Sequence, residues 1–137
     1  MDLPAALLFA SAAIIGLLGA IHLLYTFHGR KLWPRDDALR ARMHEVAPVL
    51  TRDTTFWKCW IGFIASHSLG ALLFAAVFGW LALEQPALAF GSRYLAALGS
   101  LFLLAWLWLA WRYWFRIPLT GIVLSLACFT AAQWLGG

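Results

Sequence analysis

Two histidines, His22 and His67, are the side chains of this chain with the clearest capacity for chemistry. Each lies inside a long apolar stretch, and an ionisable side chain within a membrane is costly and usually faces a cavity or a partner. His22 precedes His28, taken as the membrane edge, by a depth of about 9 Å along a helix. His67 follows Lys58 by about 13 Å. Similar depths on consecutive antiparallel helices predict that the two imidazoles can face each other.

The positions around this pair extend it into a candidate ligand-binding site. Thr26 is four residues from His22 on the same helical face, and Ser66 directly precedes His67. Imidazole can donate or accept a proton near neutral pH. We therefore predict a site that holds a lipid-like, quinone or isoprenoid ligand, with His22 and His67 as candidates for catalysis. The predicted ligand-binding residues are His22, Thr26, Trp60, Phe63, Ser66, His67, Trp106 and Trp108.

Three interpretations of the histidines remain open at this point. They can fix helix packing through hydrogen bonds, anchor or act on a lipid-like ligand, or bind a metal or a haem. His44 in the first loop is the third candidate metal ligand beside His22 and His67. Two or three histidines without a nearby Asp, Glu or Cys form an incomplete ligand set. The sequence therefore names no cofactor, and it leaves open whether the protein is an enzyme.

Four apolar stretches must position these side chains, and they fill almost all of the 137 residues. Hydrophobic residues make up 64% of the chain and charged residues 12%, against about 25% charged in soluble proteins. Each stretch is near or above the roughly 17–25 residues that a transmembrane helix needs. We predict an all-α polytopic membrane protein, a single domain over residues 1–137 that forms an antiparallel four-helix bundle. The predicted helices cover about residues 3–27, 56–83, 94–111 and 119–135.

The first loop contains a short amphipathic segment at about residues 35–47. Leu39, Met43 and Val46 follow helical spacing, which predicts a helix lying in the membrane interface. Such a segment is either a simple connector or a lid over one end of the bundle. Asp53 or Thr54 is predicted to cap the helix that follows, since a side-chain oxygen can accept from its free backbone N–H groups.

The basic residues are distributed unevenly between the predicted loops. Of the ten Lys and Arg residues, all except Arg93 lie in or beside the first and third loops. The positive-inside rule places these loops in the cytoplasm and both termini outside, which in a bacterium means an inner-membrane protein with periplasmic termini. The net charge of +4 arises at membrane edges. Membrane lipids are therefore the expected partners, and nucleic acid is not.

Small residues recur every four positions in the first two long helices, where they permit close helix contact. We predict that these stripes pack against each other, or that part of this surface joins copies in a homo-oligomer. A structural subunit of a larger membrane complex is the alternative function. The stripes consist of Ala12, Gly16 and Ala20 in the first helix and of Gly62, Ser66 and Gly70 in the second.

Five short segments resemble a family of small bacterial four-helix integral membrane proteins for which no activity is known. These segments are residues 22–26, 32–36, 54–57, 60–63 and 66–70. The resemblance implies the fold and carries over no site residues. In size and helix number the chain is also similar to membrane glutathione-transferase-like and DoxX-like proteins, whose residue motifs are absent here.

Overall fold

The computed structural model describes all 137 residues and consists of helices and their connections. Four helices are long and apolar enough to cross a membrane, which confirms the prediction of an all-α multi-pass membrane protein. The helices are α1 (Leu3–Phe27), α2 (Asp37–Glu45), α3 (Phe56–Glu84), α4 (Pro86–Gly91), α5 (Arg93–Tyr113) and α6 (Arg116–Gly136).

The predicted helix bounds hold closely for α1 and α3 and are too short for α5 and α6. The short helix α4 lies in a connection for which we predicted no element; Pro86 begins it, because a fixed φ angle and a missing N–H suit the first helical position. Pro118 lies in the first turn of α6, where its missing N–H breaks no helical hydrogen bond. The predicted start of α6 at residue 119 therefore came three residues too late, because Pro118 fits within the first turn of this helix.

The cap of α3 differs from the predicted one. The Thr55 hydroxyl oxygen accepts a hydrogen bond from the backbone N–H of Lys58 at 3.4 Å. The Asp53 carboxylate instead accepts from the Thr51 hydroxyl at 3.1 Å. The prediction of Asp53 or Thr54 as the cap was therefore wrong by one or two residues, because α3 begins directly after Thr55.

Contacts divide the chain into two compact units. The first, here called the bundle unit, comprises Met1–Leu18 and Ala71–Gly137. The second, the loop unit, comprises Gly19–Gly70 and contains the end of α1, all of α2 and the first half of α3. The single domain expected over residues 1–137 remains a prediction.

Aromatic rings fill the core of the bundle unit. Phe74 stacks on Phe102 with ring centroids 4.9 Å apart, and Phe78 meets Phe129 edge to face at 5.3 Å. Gly99 of α5 lies directly against this cluster, and a Cβ atom there would overlap the rings of Phe129 and Phe78. A glycine at this position therefore lets α5 approach the aromatic core.

Small residues bring α1 and α3 together in the bundle unit, as expected for α1. A Cβ atom added at Gly16 would lie 2.8 Å from the Cβ atom of Ala75. One added at Gly79 would lie 3.8 Å from the Cβ atom of Ala12. The prediction that Ala12 and Gly16 serve as close-packing positions is confirmed.

The partner stripe predicted on α3 was wrong. A Cβ atom added at Gly62 or Gly70 would find no atom within 4 Å, and Ala20 and Ser66 are exposed. The α3 helix carries small residues on more than one face, and the spacing of glycines does not reveal which face meets α1. The contact instead uses positions nearer the end of α3.

A pair of buried serines joins α1 and α6. Ser11 and Ser125 are fully buried, and the Ser125 hydroxyl donates to the backbone carbonyl oxygen of Ser11 at 3.0 Å. The two hydroxyl oxygens are 2.8 Å apart. Because a hydroxyl has only one proton, the Ser11 hydroxyl must be the donor to Ser125. This reciprocal contact fixes the facing rotations of α1 and α6, and the sequence analysis did not identify it.

Candidate functional site

The structure brings His22 and His67 into direct contact. Their ring centroids are 5.5 Å apart and the ring planes meet at 64°, an edge-to-face arrangement. His22 comes from the last turns of α1 and His67 from the first half of α3, and both are half-buried. The matched positions of the two residues along their helices allowed this contact, whereas the sequence left open whether the imidazoles face each other; the structure shows that they do.

Thr26 lies one turn from His22, as predicted, and is buried. Its hydroxyl donates to the backbone carbonyl oxygen of His22 at 2.8 Å. The single hydroxyl proton is thereby used within α1, so only the oxygen lone pairs of Thr26 remain for another group. The Thr26 hydroxyl therefore bonds to the backbone of its own helix and can offer a ligand only a hydrogen-bond acceptor.

Phe63 and Ser66 lie on the exposed side of α3. The Phe63 side chain is 75% exposed, and the exposed Ser66 donates its hydroxyl proton to the Phe63 carbonyl oxygen at 2.9 Å. His67 is half-buried and Ser68 is fully buried, with the Ser68 hydroxyl bonded to the carbonyl oxygen of Ile64. Phe63 and Ser66 therefore border the histidine pair on its outer side instead of enclosing it.

Trp60 links α3 to the first loop. Its indole N–H donates to the backbone carbonyl oxygen of Leu32 at 3.1 Å, while much of the ring stays exposed. The indole N–H is thus used within the protein, and the exposed part of the Trp60 side chain is available to an apolar ligand.

Trp106 and Trp108 belong to the bundle unit and have different surroundings. Trp106 stacks on Phe102 at 4.8 Å and is half-buried. Trp108 is exposed and meets Tyr113 edge to face at 5.8 Å. Helical residues two positions apart do not face the same side, so the two indoles do not line one common groove on α5.

His44 makes an aromatic contact with α3. Its ring stacks on Trp57 with centroids 4.6 Å apart and an angle of 26°. No group of three or more His, Cys, Asp or Glu side chains is placed to hold a metal ion. The candidate set of His22, His67 and His44 is therefore not assembled, and the histidine pair alone would supply two ligands.

These features define a class: a small multi-pass α-helical membrane protein with a pair of contacting histidines within its apolar helices. Comparisons with protein-family models, with curated proteins and with solved structures found no match to the chain. The function must therefore be argued from the site itself.

Proposed function

We propose that this protein binds a lipid-like ligand, such as a quinone or an isoprenoid lipid, at His22 and His67. The carrying observation is the edge-to-face contact of two half-buried imidazoles inside apolar helices. Imidazole contains both a hydrogen-bond donor and an acceptor, which matches the carbonyl or hydroxyl head of such a ligand. The costly placement of two ionisable groups at one membrane depth supports a functional role.

The surroundings of the pair fit an amphipathic ligand. Trp60 and Phe63 are exposed on α3, and Leu24 is exposed on α1. An apolar tail would lie along these side chains while its polar head contacts the imidazoles. The same pair would move a proton to or from the bound head, which is the route by which binding becomes catalysis.

Native mass spectrometry of protein released gently from its own membrane tests this proposal. We expect a reproducible extra mass of a few hundred daltons in the wild type that is lost in His22→Ala and His67→Ala. His28→Ala is the matched control, because His28 is exposed beyond the end of α1. An extra mass that persists in all three variants would overturn the proposal, and a Soret band or bound metal would redirect it to cofactor binding.

We infer that the chain resides in a bacterial inner membrane with both termini in the periplasm and the first and third loops in the cytoplasm. The positions of nine of its ten Lys and Arg residues support this orientation. The resemblance of the chain to small bacterial four-helix membrane proteins also supports a bacterial membrane as its location. A C-terminal alkaline phosphatase fusion should be active and a fusion in the first loop inactive; the reverse pattern would contradict the orientation.

A structural subunit of a larger membrane complex, or a homo-oligomer, is the second candidate. The open face of α3 favours it, because Gly62 and Gly70 have no neighbouring atom within 4 Å of a Cβ position. Small residues on a lipid-facing helix permit close approach of another helix. A subunit should co-purify with a larger partner at a fixed ratio, whereas a ligand-binding protein should purify alone or as copies of itself.

A further inference from the structure

The segment of residues 28–58, here called the basic loop, carries more positive charge than its own carboxylates neutralise. Each of its four acidic side chains has a local partner. Asp37 pairs with Arg40 at 3.2 Å and Glu45 with Arg42 at 2.9 Å. Asp36 accepts from backbone N–H groups at the start of α2, and Asp53 accepts from a threonine hydroxyl. The bases left without a carboxylate within 4.0 Å are Arg30, Lys31, Arg35, Arg52 and Lys58.

Aromatic rings contact two of these unpaired cations, Arg30 and Lys31, and also the paired Arg40. The guanidinium carbon of Arg30 lies 5.4 Å from the ring centroid of Trp33, and that of Arg40 lies 4.7 Å from the same residue. The Lys31 ammonium lies 5.6 Å from the ring centroid of Tyr25. A cation–π contact orders a charged side chain without neutralising its charge. Arg30 and Lys31 are therefore ordered cations that remain available to an anionic partner.

The loop that carries these cations is attached firmly to α3. Trp33 meets Trp57 edge to face at 5.8 Å, and Trp57 is stacked against His44. The indole N–H of Trp60 holds the carbonyl oxygen of Leu32. The contacts of Leu32 and Trp33 restrict the backbone directly after Arg30 and Lys31, which reduces the entropy lost on binding.

An apolar tip accompanies the charge and identifies the kind of partner. Val49 and Leu50 are fully exposed in the connection between α2 and α3, close in sequence to the unpaired base Arg52. Adjacent exposed aliphatic and basic side chains match the membrane interface, where anionic headgroups overlie acyl chains. Nucleic acid or an acidic protein surface would match the charge and leave the apolar tip without a counterpart.

We propose that the basic loop binds the phosphate headgroups of anionic phospholipids, with Arg30 and Lys31 as the primary contacts and Val49 and Leu50 inserted toward the acyl chains. Guanidinium and ammonium groups form charge-assisted hydrogen bonds with phosphate oxygens. This inference goes beyond the proposed ligand at the histidine pair and does not depend on it. The His22→Ala variant should therefore keep its phospholipid binding.

Quantitative native mass spectrometry of the full chain tests the proposal, after delipidation in a neutral detergent and addition of phosphatidylglycerol or phosphatidylcholine. We expect the wild type to retain phosphatidylglycerol in preference to phosphatidylcholine. The double variant R30Q/K31Q should lose about tenfold or more of its phosphatidylglycerol affinity, and R30K/K31R should keep it. Equal retention of the two lipids by the wild type would overturn the proposal.

The matched control is R112Q/R116Q, which removes two positive charges, one in the last turn of α5 and one at the start of α6. An equal loss in both glutamine double variants would show a general attraction of charge and overturn the assigned site. Increasing NaCl must also weaken phosphatidylglycerol binding to the wild type, because salt screens exposed charges. If the preference of the wild type for phosphatidylglycerol did not change with NaCl concentration, the proposal would be overturned by the wild-type measurement alone.

Discussion

At the residue scale, hydroxyl side chains within the helices serve two different purposes. Thr26, Ser66 and Ser68 donate to carbonyl oxygens of their own helix, a local bond that needs no partner helix. Ser11 and Ser125 instead bond across α1 and α6. In the amino-acid sequence both groups of hydroxyl residues look alike, because each lies within an apolar stretch. Only the second group specifies how two helices meet.

Ser125→Ala should destabilise the bundle unit by roughly 0.6–1.7 kcal/mol, the range measured for hydrogen bonds between membrane helices. The substitution removes the donor to the Ser11 carbonyl oxygen and leaves the buried Ser11 hydroxyl without its acceptor. The free energy of unfolding in mixed detergent micelles measures the loss. Ser68→Ala is the control, because Ser68 is equally buried and bonded within α3. An equal loss in both variants would mean that the contact between helices contributes nothing specific.

At the element scale, the two ends of α3 differ in what surrounds their small residues. Gly79 packs near Ala12 of α1, whereas Gly62 lies on an exposed face. In α5, Gly99 is covered by aromatic rings. Glycine therefore lies at a close helix contact in one place and on an open surface in another. Substitution by alanine should change the free energy of unfolding at the first kind of position and not at the second.

Gly99→Ala should lower the free energy of unfolding by about 1–3 kcal/mol, since the added methyl group overpacks the core. The rings of Phe129 and Phe78 occupy the space that the Cβ atom needs. Gly62→Ala should be neutral or slightly stabilising, because nothing lies within 4 Å of its Cβ position. Chemical unfolding of both variants provides the measurement, and a loss at Gly62 equal to that at Gly99 would contradict the assigned packing.

Trp60→Phe should loosen the first loop while the bundle unit stays folded. The change keeps an aromatic ring and removes the indole N–H that bonds the Leu32 carbonyl oxygen. Limited proteolysis should cut the loop faster than in the wild type. Trp80→Phe is the control, because Trp80 is similarly exposed on α3 and makes no such hydrogen bond. Unchanged cleavage in Trp60→Phe would show that other contacts alone hold the loop.

At the scale of the whole molecule, the buried apolar side chains are concentrated in the bundle unit. Every member of the main hydrophobic core, from Leu8 to Ala132, falls within Met1–Leu18 or Ala71–Gly137. In the loop unit Ile64 is the buried apolar side chain, accompanied by Thr26 and Ser68. Local stability follows the amount of buried apolar contact, so the two units should open at different free energies.

Hydrogen exchange should therefore be faster in the loop unit than in the bundle unit. The clearest comparison lies within α3, where amides of residues 57–69 should exchange before those of residues 74–82. Mass spectrometry after exchange in detergent micelles measures both halves in one experiment. Uniform protection along α3 would show that the helix opens as one cooperative element and would contradict the division.

The number of long apolar helices, their approximate positions in the chain and the positions of His22 and His67 along α1 and α3 followed from the amino-acid sequence alone. These are local properties, because apolar length and the position along a helix can be read from consecutive residues. The tertiary structure alone decided that His44 meets Trp57 instead of the histidine pair, that Ser11 meets Ser125, and that Gly16 meets Ala75. Each of these contacts depends on helix rotation, which is set by the packing of residues far apart in the chain.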